Sequence, residues 1–172
     1  MPISISGSTL TFNDNSTLTT ALFVGGSRLG GGIYIGVFST WNLFASTFEY
    51  EENLQWKITG TSTPDTTSVT DGLANTNAMN NVDHPAAYYC ATTMDGVGGF
   101  NDWYLPSKDE LNFIYLNRHF LDNFTAHAYW SSTENTSLYS WSQDFADGNQ
   151  YQNAKTISKY VRPVRRLALK LT

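Results

Sequence analysis

The strongest constraint on the fold is an alternation of side chains near the end of the chain. Large and short polar residues alternate in the order Tyr139, Ser140, Trp141, Ser142, Gln143, Asp144, Phe145. A period of two indicates a β-strand that buries one face. The Asp-Gly pair at 147–148 is typical of a hairpin turn, and residues 151–157 and 160–167 have the composition of further strands. The last third is therefore predicted to be a sheet, with Pro163 at an edge, bulge or break.

Helix signals occupy the middle of the chain. Ser107 and Glu110 have the spacing of a capping box, which predicts a helix from 108 to about 118. Weaker patterns predict helices over 71–80 and from Pro85 onward. With strands on both sides, including 33–38, the predicted class is α+β. The two chain ends are expected to pair.

The first 24 residues differ from the remainder of the chain. Short apolar alternations among Ser, Thr and Asn predict strands too short to be stable alone, with a turn between them at Asp14-Asn15. Residues 1–24 are therefore predicted to be a β neck for oligomerisation and attachment. Five glycines within 25–32 predict a linker, and 33–172 form the main domain.

Composition excludes several classes of protein. Charged residues make up 15% of the 172 positions, against about 25% in an average soluble protein. The net charge of −5 argues against a protein that binds duplex nucleic acid. No apolar run approaches the roughly 20 residues of a membrane span, and no secretory signal is expected at the start. With Cys90 alone, neither an intrachain disulfide nor a zinc site of paired thiolates is expected.

Candidate catalytic groups lack the spacing that chemistry requires. His84, His119 and His127 include no pair at helical i, i+4 spacing. Two carboxylate pairs are present, Asp109 with Glu110 and Asp144 with Asp147, but Glu110 is better explained by the capping box and Asp147 by its turn than by glycoside hydrolysis. We therefore expect no enzymatic activity.

Two stretches rich in Tyr, Asn and Ser favour ligand binding, because tyrosine contributes contact area at low entropy cost. These stretches, 133–139 and 149–153, supply the predicted ligand-binding residues Asn135, Tyr139, Asn149, Tyr151 and Asn153. Ordinary solvated turns are the alternative. No cofactor or metal is expected, although Asp95 and Asp102 could supply oxygen ligands to a calcium ion.

Six segments together resemble a known domain family. They are GGI at 31–33, DGLANT at 71–76, DWYLPSKDELN at 102–112, YWSSTE at 129–134, WSQDF at 141–145 and VRPVR at 161–165. In this order they resemble a bacterial and phage family of C-type-lectin-like fold. That family is related to the formylglycine-generating enzyme superfamily and to phage tropism determinants.

The resemblance implies a C-type-lectin-like domain with a short N-terminal β segment. It implies that Trp103, Trp130 and Trp141 are core and that Arg162 and Arg165 form salt bridges. Catalytic cysteines of the formylglycine-generating enzymes are not matched. The Glu-Pro-Asn motif of calcium-dependent sugar sites is also missing.

A second resemblance concerns the N-terminus. SGSTLTFNDNS at 6–16 and TTA at 19–21 are similar to the short β repeat at the neck of phage tail fibres. That similarity implies a homotrimer attached to other virion tail proteins.

The expected function is that of a tail-fibre or baseplate-tip protein on the virion. Its lectin-like domain would bind a host surface receptor, a glycan or lipopolysaccharide, without catalysis. The expected partners include neither nucleic acid nor a membrane into which it inserts. A decoration protein without a receptor and a surface-polysaccharide depolymerase are the alternatives.

Overall fold

A computed structural model describes residues 4–6, 9–11, 17–18, 24–122 and 127–168. Its strands, in chain order, are β1 (Ser4–Ser6), β2 (Thr9–Thr11), β3 (Thr17–Leu18), β4 (Arg28–Leu29), β5 (Gly32–Phe38), β6 (Trp41–Ala45), β7 (Glu52–Gln55), β8 (Ala128–Glu134), β9 (Tyr139–Asp144), β10 (Gln150–Ala154), β11 (Ser158–Val161) and β12 (Val164–Ala168). The α-helices are α1 (Gly72–Ala78), α2 (Pro85–Tyr88) and α3 (Lys108–Leu116), and a π-helical turn, Tyr89–Thr93, continues α2. Among the described residues, no helix is long and apolar enough to cross a membrane.

The N-terminal strands form a sheet of their own, in the order β1-β2-β3. Both pairs are antiparallel, and Leu10 lies between Ile5 and Leu18. The predicted N-terminal strands are present, whereas the turn predicted at 14–15 lies outside the described residues. The attachment role of this segment stays a prediction.

The second sheet has the order β12-β6-β5-β4. Ile33 and Val164 pair with opposite sides of Ala45, so β6 separates the two ends of the domain that were expected to pair directly. Within the glycine-rich stretch predicted as a linker, Arg28 and Leu29 form β4 and pair with β5.

The third sheet has the order β10-β9-β8-β11-β7. The predicted hairpin is confirmed, because β9 and β10 are antiparallel neighbours joined at 145–149. In this register Tyr151 lies opposite Ser142, and Ala154 lies opposite Tyr139. Parallel pairing of β8 with β11 joins the hairpin to β11 and β7, whereas β12 belongs to the second sheet, so the final third of the chain is divided between two sheets.

The predicted α+β, C-type-lectin-like class is wrong, because sheets dominate this fold. The longest helix, α3, has nine residues, and α1 has seven. The capping box of α3 is confirmed, as is a helix that begins with Pro85. Such start signals reveal where a helix begins, but they do not indicate whether it is long enough to form a layer. Here the layers are sheets.

Two buried clusters fill the interior. One contains Leu43, Ala45 and Ile114, and the other contains Trp56 and Trp130. Trp103 is buried as the resemblance implied, whereas Trp141 is only partly buried beneath the Lys108 ammonium, 4.5 Å from its ring centre. Cys90 is also core, and burial raises the pKa of its thiol.

Candidate functional site

The five predicted ligand-binding residues lie along the β9–β10 ribbon rather than around one pocket. Asn135 and Tyr139 are at one end of the ribbon, and Asn149 is at the hairpin turn that forms the other end. Because paired residues share a face and neighbours alternate, Tyr139 and Tyr151 project from opposite faces. The structure therefore brings Asn135 and Tyr139 together, places Asn153 beside them on the other face of the ribbon, and leaves Asn149 and Tyr151 toward the hairpin turn.

At the hairpin turn the polar groups bond to one another. The Asp147 carboxylate accepts hydrogen bonds from the Asn149 N–H at 2.8 Å, the Asn149 amide at 2.9 Å and the Tyr151 hydroxyl at 3.0 Å. Bonds from Asn149 lower the pKa of Asp147, and the bond to Asp147 raises the pKa of Tyr151. In the same ribbon the Asn153 amide donates to the Ser142 hydroxyl at 2.9 Å. These contacts stabilise the hairpin itself.

The opposite end of the ribbon is different in character. It combines residues 135–139 with 58–62 and 156–157, none of which carries a charge; we call this surface the uncharged end. Its exposed apolar side chains are Ile58 (48% exposed), Leu138 (52%), Tyr139 (42%) and Ile157 (43%). An exposed apolar group of this kind marks a candidate interaction site.

Backbone contacts hold the three segments of the uncharged end together. The Lys155 N–H donates to the Leu138 carbonyl at 3.1 Å, and the Trp56 N–H donates to the Lys155 carbonyl at 3.0 Å. Gly60 packs closely enough that a β-carbon there would lie 2.9 Å from Leu138 Cδ2. The segment 58–62 therefore belongs to the same surface as Leu138, although it lies far away in the sequence.

A buried ionic group lies beneath this end. The Lys155 ammonium contacts Glu134 Oε2 at 2.8 Å and donates to the Thr61 carbonyl at 3.0 Å. Glu134 also accepts from the Ser62 hydroxyl and the Thr63 N–H, both at 2.7 Å. Burial alone would raise the pKa of Glu134, but the bonds from Lys155, Ser62 and Thr63 outweigh burial and lower it.

Lys57 holds the same loop from inside. Its ammonium donates to the carbonyls of Thr61 and Ser62 at 3.3 and 3.0 Å and to the Thr63 hydroxyl at 3.0 Å. Two buried lysines and one buried glutamate thus fix the backbone of 61–63. Sequence reasoning did not assign this loop to a site, because the two lysines that hold it lie far apart in the sequence and have no fixed spacing.

Two cavities lie elsewhere, and neither is lined by the five predicted residues. One of about 270 Å³ includes Arg28, Gly31, Glu49, Tyr50 and Gly98. The other, about 330 Å³, is more apolar; its lining residues are Leu54, Val82, Pro85, Tyr88, Tyr89 and Thr93.

The carboxylates considered for other roles are engaged in structural bonds. Asp144 accepts from the Ala146 N–H at 2.8 Å. Asp102, a candidate calcium ligand, forms two bonds with the Arg165 guanidinium, at 2.7 and 2.9 Å. The salt bridges expected of Arg162 and Arg165 are confirmed. In the described parts of the chain, no group of three or more His, Cys, Asp or Glu residues is placed to hold a metal.

Comparison with solved structures shows that another protein has a similar fold. The chain is similar to a fimbrial protein from Bacteroides ovatus ATCC 8483, with a TM-score of 0.58 and 14% sequence identity. The match covers 93% of this chain and 48% of the fimbrial protein, so the chain spans about half of that protein's length. This likeness agrees with a sheet-dominated fold and contradicts the C-type-lectin-like prediction.

Comparison by sequence places the chain in a family. No curated protein is similar enough to the chain to be matched. The family profile described as the Lcl C-terminal domain matches residues 47–165, which contain the five-stranded sheet, the three α-helices and the buried ionic group, but only Val164 and Arg165 of the four-stranded sheet. The chain therefore belongs to the Lcl C-terminal domain family.

Proposed function

We propose that this chain is a non-catalytic structural protein of an extracellular assembly and that its uncharged end binds a receptor on a host cell. The observation that carries the proposal is that end itself, where Ile58, Leu138, Tyr139 and Ile157 are exposed together. The loop beside them is fixed from beneath by Lys57 and Lys155. A surface organised before binding loses little conformational entropy when it binds.

The assembly we propose is the tail fibre or baseplate tip of a phage or phage-like particle. Two observations support a structural role at a surface: the resemblance of residues 6–21 to a tail-fibre neck, and the likeness of the fold to a fimbrial protein. In this proposal the N-terminal sheet joins three copies and attaches them to other tail proteins. Three weak sites on one trimer would then bind a cell surface by avidity.

Removal of the exposed side chains tests the binding surface. Leu138→Ser combined with Tyr139→Ala should reduce binding to cells by about tenfold or more, because a few apolar anchors dominate most interfaces. Binding of fluorescently labelled full chain to a panel of bacterial strains is measured by flow cytometry. Leu116→Ser is the matched control, because Leu116 is 62% exposed but lies at the end of α3.

The outcomes separate the alternatives. A folded double variant that binds as well as the unchanged chain would refute the placement of the site. Failure of the unchanged chain to bind any strain would refute receptor binding and favour a decoration protein.

A further inference from the structure

The charged groups beside the uncharged end indicate the chemistry of its ligand. The inference drawn from them rests on the proposed function. Three lysines flank its segments in sequence, Lys57, Lys155 and Lys159. An anionic ligand would need at least one of these cations, because charge-assisted bonds from Lys or Arg recognise carboxylate, sulfate and phosphate groups. The positions of the three ammonium groups therefore decide whether an anion can bind.

Two of these lysines are engaged inside the protein, and the third is half-buried. The Lys57 ammonium has three protons, and three oxygens of the loop 61–63 accept them. Lys155 is fully buried, with Glu134 as its counter-charge, and lies 4.7 Å from the centre of the Trp56 ring. The Lys159 ammonium lies 5.7 Å from the centre of the Trp130 ring, and burial lowers its pKa. An anion at the uncharged end would find the ammonium groups of Lys57 and Lys155 buried and already bonded, and that of the half-buried Lys159 beside an aromatic ring.

The exposed charges beside the end are negative. Asp65 lies in the loop that follows 58–62, and Asp83 accepts a backbone bond from the Ile58 N–H at 3.0 Å through its carbonyl. Both side chains are exposed carboxylates. Like charges brought together at an interface disfavour binding. A sulfated, phosphorylated or uronic-acid polymer would therefore be repelled.

The aromatic, aliphatic and hydroxyl groups of the uncharged end suit an uncharged sugar. Tyr139 presents a half-exposed ring, and Ile58, Leu138 and Ile157 present aliphatic groups, against which the C–H face of a sugar ring can pack. Thr59, Ser137 and Thr156, which neighbour Ile58, Leu138 and Ile157 in the sequence, are exposed residues with hydroxyl groups. Tyrosine together with short hydroxyl side chains combines contact area with adaptable hydrogen bonding.

We infer that the ligand of the uncharged end is an uncharged glycan of the host surface. Its binding rests on packing and neutral hydrogen bonds, with no ion pair at its centre. Salt screens exposed charges but leaves such contacts nearly unchanged. The affinity is therefore insensitive to ionic strength.

The first experiment uses a bacterial strain that the full chain binds. Binding is measured at about 50 and about 500 mM NaCl, and we expect less than about a twofold change. Mild periodate oxidation of the cells, which cleaves sugar diols, should abolish binding, whereas protease treatment should leave it intact. Loss of binding on protease treatment, or a fall of about tenfold in high salt, would overturn the inference and leave receptor binding standing.

A pair of charge variants tests the same inference within the protein. Ser137 is exposed at the centre of the 135–139 segment, and Ser137→Lys and Ser137→Glu differ chiefly in the sign of the added charge. An uncharged ligand predicts that the two variants bind the strain within about threefold of each other. If the lysine variant binds about tenfold more tightly than the glutamate variant, the ligand is anionic and the inference is wrong.

Discussion

At the scale of single residues, His84 is a buried group whose protonation responds to acid. Its Nε2 lies 2.9 Å from the Thr63 hydroxyl, and its Nδ1 lies 2.9 Å from the Asn81 side-chain oxygen. Because the Thr63 hydroxyl accepts a bond from the Lys57 ammonium, it can donate its own proton to Nε2. In this arrangement His84 is neutral, with its proton on Nδ1 donated to the Asn81 side-chain oxygen. Protonation of Nε2 would reverse this bond and place a second positive charge beside Lys57.

The charges around His84 give the direction of its pH response. The pKa of His84 is lowered from 6.5 to about 4, with burial as the largest cause and the charge of Lys57 as the next. Asp83 and Glu134 act in the opposite direction, and Lys155 adds to the lowering. In the unfolded chain His84 binds its proton first as the pH falls, so acid favours unfolding.

We predict that the free energy of unfolding is steady above about pH 6.5 and falls as the pH is lowered toward 4. The histidine contributes a loss on the order of 2–3 kcal/mol over that interval. Urea titrations of the unchanged chain and of His84→Gln, repeated from pH 7 to pH 4, measure the difference. Parallel pH profiles for the two proteins would contradict the prediction.

At the scale of elements, the start of α3 joins three parts of the chain. The Glu110 carboxylate accepts bonds from the Ser107 N–H at 2.8 Å, the Gly72 N–H at 3.1 Å and the Tyr104 hydroxyl at 2.8 Å. One side chain thus completes the capping box and also holds the first residue of α1. Burial raises the pKa of Glu110, although the bonds from Ser107 and Tyr104 act against it.

Gly72 is packed so closely that a β-carbon at this position would clash with its neighbours. A β-carbon there would lie 2.5 Å from Glu110 Oε2 and from the Ser107 nitrogen, and 2.6 Å from the Leu105 carbonyl. Because the backbone cannot move aside cheaply, Gly72→Ala should destabilise the protein by about 2 kcal/mol or more, despite the better helix propensity of alanine.

Gly60→Ala is the control, because its β-carbon would meet only the flexible end of Leu138. We expect this variant to unfold within about 0.5 kcal/mol of the unchanged chain. Urea denaturation compares the two substitutions, and equal stabilities would show that the α1–α3 junction relaxes freely.

At the scale of the whole molecule, Arg162 connects the two larger sheets. It lies between β11 of the five-stranded sheet and β12 of the four-stranded sheet. Its guanidinium donates to the Ser46 carbonyl and Glu51 at 2.7 Å each and to Asp122 at 2.9 Å. Arg162 is fully buried, so loss of the cation would leave the buried Glu51 carboxylate without its counter-charge.

A matched pair of arginine substitutions tests this connection. Arg162→Leu should lower the free energy of unfolding by about 3–5 kcal/mol, because it leaves a buried carboxylate without its counter-charge. Arg28→Leu should cost less than about 1 kcal/mol, although Arg28 contacts the same Asp122 at 2.8 Å, because its side chain is exposed. Thermal and urea unfolding measure the stability of both variants. Similar losses of unfolding free energy in the two variants would contradict the claim that burial makes Arg162 the more important residue.

Local signals in the sequence determined the elements whose causes lie within a few residues. The alternation at 139–145 followed by Asp-Gly was enough for the β9–β10 hairpin, and Ser107 with Glu110 was enough for the start of α3. Composition also pointed to the 135–139 loop. Hydrogen bonds between near neighbours set these features, so the sequence carries them directly.

Only the tertiary structure decided the features that depend on contacts between distant residues. The insertion of β6 between the chain ends, and thus a sheet-dominated fold, depends on pairing that no local pattern reports. The register of one hairpin decided that Tyr139 and Tyr151 face opposite ways, since a shift of one residue reverses every side chain. The uncharged end exists because Lys57 and Lys155, far apart in sequence, bind the same Thr61 carbonyl. Buried charges must find partners wherever the chain brings them, so distant contacts, not local spacing, formed this surface.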